Sequence, residues 1–249
     1  MRRWLSAPIS YPDGTLVTPD RGTPQGSAVS PALANLFLHY TLDRWLARTY
    51  PGLRFERYVD DVVVHCVSRR QAEQVRMAIG GRLAEVGLRL HPTKTRLVYC
   101  KDSNRRGWHE HTSFTFLGYT FRPRRARNSK TGRLFTAFGP AMSTDAVKAK
   151  SAEVRSWRIH LRTNLTLDSL ARIFNPIVRG WMQYWGRYHR HVMHPLLQRI
   201  NAYLMRWAQR KYRRLKAIKR AKAWWVGVTR RDPTLFAHWA WTHNFWMAG

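Results

Sequence analysis

The chain has 249 residues, with 44 Lys+Arg against 14 Asp+Glu and a formal net charge of +30. At 44% hydrophobic and 13% aromatic it is too apolar for a disordered basic tail. Its two cysteines, Cys66 and Cys100, exclude a disulfide scaffold or a four-cysteine zinc site. No apolar run is long enough to span a bilayer. The first residues lack the apolar stretch of a signal peptide, so the expected compartment is cytoplasmic. A folded chain this basic repels itself, and nucleic acid is the usual partner that offsets such a charge; a membrane surface is the other option.

Charge divides the chain. Twelve of the 14 acids precede residue 160, whereas the 63 residues between Asp168 and Asp232 hold 16 Lys/Arg, three His and no acid. Nine of the 12 tryptophans lie from Trp157 onward. The expected organisation is a mixed-charge N-terminal domain over 1–140 and a basic, helical domain over 141–249.

In chain order, Ser30-Pro31 reads as an N-cap with Pro at the first helical position. Leu33, Leu36, Phe37 and Tyr40 follow at helical spacing. Arg54 to Tyr58 and Asp61 to Val67 read as strands joined by a tight turn at Val59-Asp60. A helix fits Gln71 to Val86, weakened at Gly80-Gly81 and stopped by Gly87. Leu88 to Leu90 and Arg96 to Cys100 read as short strands. Ser113 to Phe121 and Arg133 to Phe138 read as a hairpin across a basic turn. Beyond Pro140 the strand signals fade. One helix, capped by Ser143 or Thr144, is expected to run through Val147, Val154, Trp157 and Leu161. A second follows Thr166-Leu167-Asp168, with Trp181, Tyr184 and Trp185 spaced as one buried face. A third is bounded by Pro195.

Four segments carry candidate chemistry. Tyr58-Val59-Asp60-Asp61 sets two adjacent carboxylates in an apolar context, which is costly unless cations pair with them. Hard oxygen ligands of this kind suit Mg²⁺. Upstream, Gly22-Thr23-Pro24-Gln25-Gly26 lies in a glycine- and hydroxyl-rich loop that leads into a helix and lets backbone N–H groups approach phosphate or sugar. Downstream come Gly87-Leu88-Arg89-Leu90-His91-Pro92-Thr93-Lys94-Thr95, with a lone lysine after a turn, and Phe114-Thr115-Phe116-Leu117-Gly118-Tyr119. Each segment also has a bland reading: a solvated turn, a capped loop, a surface lysine, simple core.

Taken together, in this order and spacing, the four resemble the palm of reverse transcriptases, most closely those encoded by group II introns. The resemblance continues through Asn175-Pro176-Ile177-Val178-Arg179-Gly180-Trp181 with Tyr184-Trp185, similar to the maturase signature, and through Arg155 to Arg158 and Leu235 to Trp239. It implies an α+β chain: a partial palm of antiparallel hairpins and helices, followed by an all-α thumb/maturase domain. It implies an RNA-directed DNA polymerase and maturase with Mg²⁺ as cofactor. The expected partners are an RNA template with DNA primer, dNTPs and intron RNA, with no membrane. Residue by residue, it implies that Asp60 and Asp61 are catalytic metal ligands and that Lys94 lies near the triphosphate. Gly22, Thr23, Pro24, Gln25, Gly26 and Tyr58 would meet nucleotide or template. Phe116, Leu117, Gly118 and Tyr119 would form the primer grip.

The sequence departs from the family at its start. The strand bearing a third catalytic aspartate is not matched by Asp13 or Asp20, and the fingers are missing. The expectation is therefore a truncated form, weakly active or inactive alone, that works with a fingers-containing N-terminal fragment; the alternative is a catalytically inactive RNA-binding maturase remnant.

From Arg206 to Lys222 the sequence is almost wholly cationic around Trp207, Tyr212, Leu215 and Ile218. Like charges at helical spacing repel, so an unmixed face calls for an anionic partner. The RNA-binding candidates are Arg179, Arg206, Arg210, Lys211, Arg213, Arg214, Lys216, Lys219, Arg220 and Lys222. Interleaved aromatics could stack on bases, although most tryptophans are expected in the core. His189, His191 and His194 read as RNA contacts or surface rather than a metal cluster.

Overall fold

A computed structural model describes residues 8–18, 28–105 and 107–242. The chain forms two compact units, 1–97 and 98–249, and each is described by itself.

In the first unit, strands β1 (Ile9–Ser10) and β2 (Leu16–Val17) form a small antiparallel pair. Helix α1 (Ser30–Leu38) begins one residue earlier than the sequence suggests: Val29 holds the cap position and Pro31 lies in the first turn. A π-helical segment, His39–Asp43, continues directly into α2 (Arg44–Thr49). A π-segment inserts an extra residue and rephases the helix. Strands β3 (Arg54–Tyr58) and β4 (Asp61–His65) pair with Tyr58 opposite Asp61, so Val59 and Asp60 alone make the turn. Alternation sends Phe55, Val62 and Val64 onto a core of Leu42, Leu46, Val75, Ile79 and Leu83. Helix α3 (Arg69–Ala84) starts at Ser68, whose side chain accepts from the Gln71 N–H. Its last turn closes at Gly87, the stop that the sequence marks, with φ +74. The N–H of Leu88 bonds to the Leu83 carbonyl and that of Gly87 to Ala84, closing a Schellman motif that only a residue comfortable at positive φ completes.

Neither expected strand after Gly87 forms. Residues 88–91 and 95–100 are irregular. Among the described residues, the four between the glycine cap and Pro92 have no partner strand. The local bonds run instead to the preceding helix and, from the Thr95 N–H to the His91 carbonyl, around the turn.

In the second unit the expected single hairpin is a three-stranded meander: β5 (Phe114–Phe116), β6 (Tyr119–Arg127) and β7 (Leu134–Met142). Helix α4 (Thr144–Ser156) is capped by Ser143, whose hydroxyl accepts from the Ala146 N–H. It stops short of Leu161, because Arg158 is left-handed (φ +48) and a 3₁₀ turn, Ile159–Leu161, follows. Helix α5 (Leu167–Trp185) is capped by Thr166. Helix α6 (His194–Lys211) follows a 3₁₀ turn at Arg190–Met193.

The basic stretch is not one helix. Tyr212 turns extended, Arg213–Leu215 is a 3₁₀ turn, and α7 (Ile218–Arg231) starts afresh, so Ile218 ends 53% exposed instead of sharing the apolar side with Trp207. The short α8 (Trp239–Thr242) closes the described chain. Helices α4 to α8 and Met142 enclose one core around Ile159, Leu170, Leu196, Leu204, Trp207, Trp225 and Trp239. No helix of the described residues is long and apolar enough to cross a membrane.

Candidate active-site turn and nucleic-acid interface

Asp60 and Asp61 stand at the tip of the β3–β4 hairpin, both exposed. Among the described residues neither carboxylate has a hydrogen bond or ion pair. Val59 turns the corner at φ +57. A β-branched residue is a real outlier there, and the left-handed region disfavours it by roughly 1–2 kcal/mol. Such strain persists only where surroundings over-determine it, and it clusters at functional sites.

The restraint comes from Arg57, two residues back and on the inward face of β3. Its Nε donates to Asp43 Oδ1 at 2.7 Å and its Nη2 to Asp43 Oδ2 at 2.8 Å. Its Nη1 donates to Asn35 Oδ1 at 2.8 Å and to the Val59 carbonyl at 2.7 Å. The bidentate partner and its ion-pair attraction hold the guanidinium pKa above its ordinary value, against the effect of burial. Sequence reading passed over Arg57, Asp43 and Asn35. An arginine in the inward register of an apolar strand was the available signal.

The donor set fits a divalent cation in part. Two adjacent, solvent-facing carboxylates are hard oxygen ligands suited to Mg²⁺. Among the described residues no group of three or more His, Cys, Asp or Glu side chains converges. That same fact leaves His189, His191 and His194 without metal-site geometry. Tyr58 is 59% exposed beside the pair. Lys94 is exposed in the 92–94 turn of the same unit. Gly22, Thr23, Pro24, Gln25 and Gly26 lie outside the described residues.

Phe116, Leu117, Gly118 and Tyr119 form the β5–β6 turn, with Phe116 paired to Tyr119. Leu117 (φ +50) and Gly118 (φ +74) are both left-handed, as a two-residue turn of type I′ requires. Helix α5 grips this turn. The Tyr184 hydroxyl donates to the Leu117 carbonyl at 2.8 Å, and Trp185 Nε1 donates to that of Gly118 at 3.3 Å. The Tyr119 hydroxyl donates to the Tyr184 carbonyl. A Cβ at Gly118 would lie 3.4 Å from Trp185 Nε1. This arrangement corrects the expectation of one buried aromatic face: Trp181 is buried, but Tyr184 is 47% exposed and holds the turn.

Asn175 ties helix α5 to the 235–237 segment. Its Nδ2 donates to the Leu235 carbonyl at 2.8 Å and its Oδ1 accepts from the Ala237 N–H at 2.9 Å. The segment so held feeds a buried network. His238 Nε2 and Trp239 Nε1 meet Asn201 Oδ1 at 2.7 and 3.0 Å, while Asn201 Nδ2 donates to Thr242. Burial pushes the His238 pKa down to about 3.

Arg179, Arg206, Arg210, Arg213, Arg214, Lys216, Lys219, Arg220 and Lys222 are exposed. Lys211 is engaged in the fold instead: its ammonium donates to the Thr163 and Leu165 carbonyls at 2.8 and 2.7 Å. His160, Arg206, Gln209, Arg210 and Lys216 line an open depression of about 470 Å³. Burial, then the nearby Arg210, Arg206 and Arg158, holds the His160 pKa below its ordinary value. Of the basic region's aromatics, Trp207 and Trp225 are buried, and Tyr212 and Trp224 are partly buried against the core.

Two family profiles match the chain: Reverse transcriptase (RNA-dependent DNA polymerase) over residues 2–121, and Group II intron, maturase-specific domain over residues 147–225. The chain belongs to the group II intron reverse transcriptase/maturases. No curated protein matches it. The reverse-transcriptase match includes the carboxylate turn and ends inside β6, just past the 116–119 turn. The maturase match includes α5 with its Asn175, Tyr184 and Trp185. In this reverse transcriptase/maturase the clamp on Leu117 and Gly118 therefore ties a motif of one match to a helix of the other, within one compact unit.

Proposed function

We propose that the chain is the palm-to-maturase part of an RNA-directed DNA polymerase that copies RNA from a DNA primer with dNTPs and Mg²⁺, and that also binds intron RNA to assist splicing and mobility. The observation that carries this reading is the exposed carboxylate pair at a strained, arginine-braced hairpin tip. Asp60 and Asp61 would hold the divalent metal. When bound, it would stabilise charge on the primer hydroxyl and the transferred phosphoryl group. Lys94 would neutralise triphosphate charge, and Tyr58 with Gly22 to Gly26 would meet nucleotide and template. Phe116 to Tyr119 would seat the primer end. Palm function is assigned to 1–140 and thumb/maturase function to 141–249, a division that falls between the two family matches. The compartment assigned is cytoplasmic, beside RNA.

Two-metal phosphoryl transfer calls for carboxylates from two elements, and among the described residues no third acid converges on the pair. We therefore expect the 249-residue chain to extend primers weakly or not at all unaided, and to gain activity when a fingers-containing fragment is supplied in trans. Primer extension by the purified chain with Mg²⁺ tests this. Robust cDNA synthesis by the chain alone overturns the dependence on added carboxylates.

A second reading, RNA binding without catalysis, is favoured by the exposed cations of α6, α7 and their connection. Competition at about 0.5 M salt, where non-specific phosphate contacts weaken steeply, separates the outcomes. Preference for cognate intron RNA over random RNA supports a maturase; equal binding supports attraction by charge alone.

A further inference from the structure

The brace beneath the carboxylate turn points beyond the assignment of its ligands. Arg57 has five N–H donors, and the structure uses each of them. Nε and one Nη2 hydrogen hold the Asp43 carboxylate, the two Nη1 hydrogens take Asn35 Oδ1 and the Val59 carbonyl, and the other Nη2 hydrogen reaches the Asn35 carbonyl at 3.5 Å. Asn35 lies on α1 and Asp43 on the π-segment that continues it, so one planar group ties a helical segment to the tip of a hairpin. Arg57 and Asp43 side chains are only 11% and 19% exposed, so water competes poorly for these bonds. The bonded carbonyl belongs to the strained residue immediately before Asp60.

We infer that Arg57 is a positioning residue for the metal-binding turn: its guanidinium fixes the Val59 peptide against Asn35 and Asp43, and so fixes where the Asp60 and Asp61 carboxylates stand. The inference rests on the reading of Asp60 as a metal ligand for its consequence, although the bracing itself does not. Lysine at position 57 could keep the ion pair with Asp43. Its three donors on a single nitrogen cannot span Asp43, Asn35 and the Val59 carbonyl together. Partners of this outer kind change metal affinity by roughly 10–100-fold when removed.

The test uses the full chain and Mn²⁺ as the probe. Free Mn²⁺ is titrated by electron paramagnetic resonance against the wild type, Asp60→Ala, Arg57→Lys, Asn35→Ala and, as a control on the outward face of β3, Arg54→Lys. Amide hydrogen exchange of residues 58–62 and the thermal midpoint are read on the same samples. Expected is a site lost in Asp60→Ala and weakened about tenfold in Arg57→Lys, with faster exchange at the turn, a lowered thermal midpoint with a cooperative transition retained, and wild-type behaviour in Arg54→Lys. Asn35→Ala, which removes one strut, gives a smaller weakening and decides the matter if Arg57→Lys does not fold. Wild-type Mn²⁺ affinity and wild-type exchange in both Arg57→Lys and Asn35→Ala overturn the positioning role. Absence of any Asp60-dependent Mn²⁺ site in the wild type overturns the ligand reading instead, and turn exchange then still decides for or against bracing.

Discussion

The two turns that carry the family's motifs solve one geometric problem by different chemistry. Both are two-residue hairpin tips, and both place a side-chained residue at positive φ: Val59 in one, Leu117 in the other. At the 117–118 turn Gly118 takes the second left-handed position, and aromatic side chains from α5 bind both carbonyls. At the 59–60 turn Asp60 follows without a positive φ, and a single guanidinium, itself neutralised by Asp43, binds the Val59 carbonyl. The difference follows from what each tip presents. A turn that must display two carboxylates benefits from a rigid brace whose charge is already balanced, since a free cation nearby would compete with a metal for the carboxylates. A turn with no charged side chain to display is held by neutral hydroxyl and indole donors.

This contrast can be tested at several strengths. The largest effect belongs to the acidic tip. In an enzyme reconstituted with a fingers fragment, Asp60→Ala should reduce primer extension on the order of 10³-fold or more and leave RNA affinity unchanged. Full extension by the variant breaks the assignment.

Next comes the basic surface. Replacing Arg206, Arg210, Arg213 and Arg214 together by Gln should lower the slope of log affinity against log salt by about 3, read by filter binding at several salt concentrations. Extension at saturating RNA should hold. An unchanged slope would place the RNA elsewhere.

The helical core should show its own acid sensitivity. His238 is buried with a folded pKa of about 3, against roughly 6.5 in an unfolded chain. Protons thus bind the unfolded state first. Stability from the neutral imidazole is full above about pH 6.5 and is lost as pH falls toward 3, by roughly 2 kcal/mol between pH 6.5 and 5. Urea denaturation followed by tryptophan fluorescence measures it, and His238→Gln should flatten the dependence.

The smallest effect is at the second turn. Gly118→Ala should lose about 1–2 kcal/mol, from the left-handed backbone and the approach to Trp185, whereas Val59→Gly relieves strain and should cost nothing in the same denaturation assay. Equal losses at both positions would remove the distinction between the turns.

Much of this was legible in the chain. Alternation of Phe55, Val62 and Val64 about two acids fixed the β3–β4 hairpin, and Ser143, Thr166 and Gly87 marked helix ends through side-chain or left-handed caps, whereas the Ser68 cap, which starts α3 two residues ahead of the expected Gln71, was not read. Other segments misled. Leu88 to Leu90 has strand-forming residues, but its bonds go back to α3, and a ladder needs a partner strand that composition cannot supply. The apolar positions from Trp207 to Ile218 suggested a continuous helix. The chain instead breaks at Tyr212, and Lys211, read as a phosphate ligand, caps the carbonyls of Thr163 and Leu165.

The sequence by itself determined the two-part charge plan, the carboxylate pair at a tight turn, and the family, because these depend on residues adjacent in the chain or on short motifs in fixed order. Only the tertiary structure decided what holds those motifs. Arg57 reaches Asp43 and Asn35, 14 and 22 residues away, and Tyr184 reaches Leu117 across 67. A hydrogen bond depends on distance and angle in space, and across such separations packing, not local spacing, sets both.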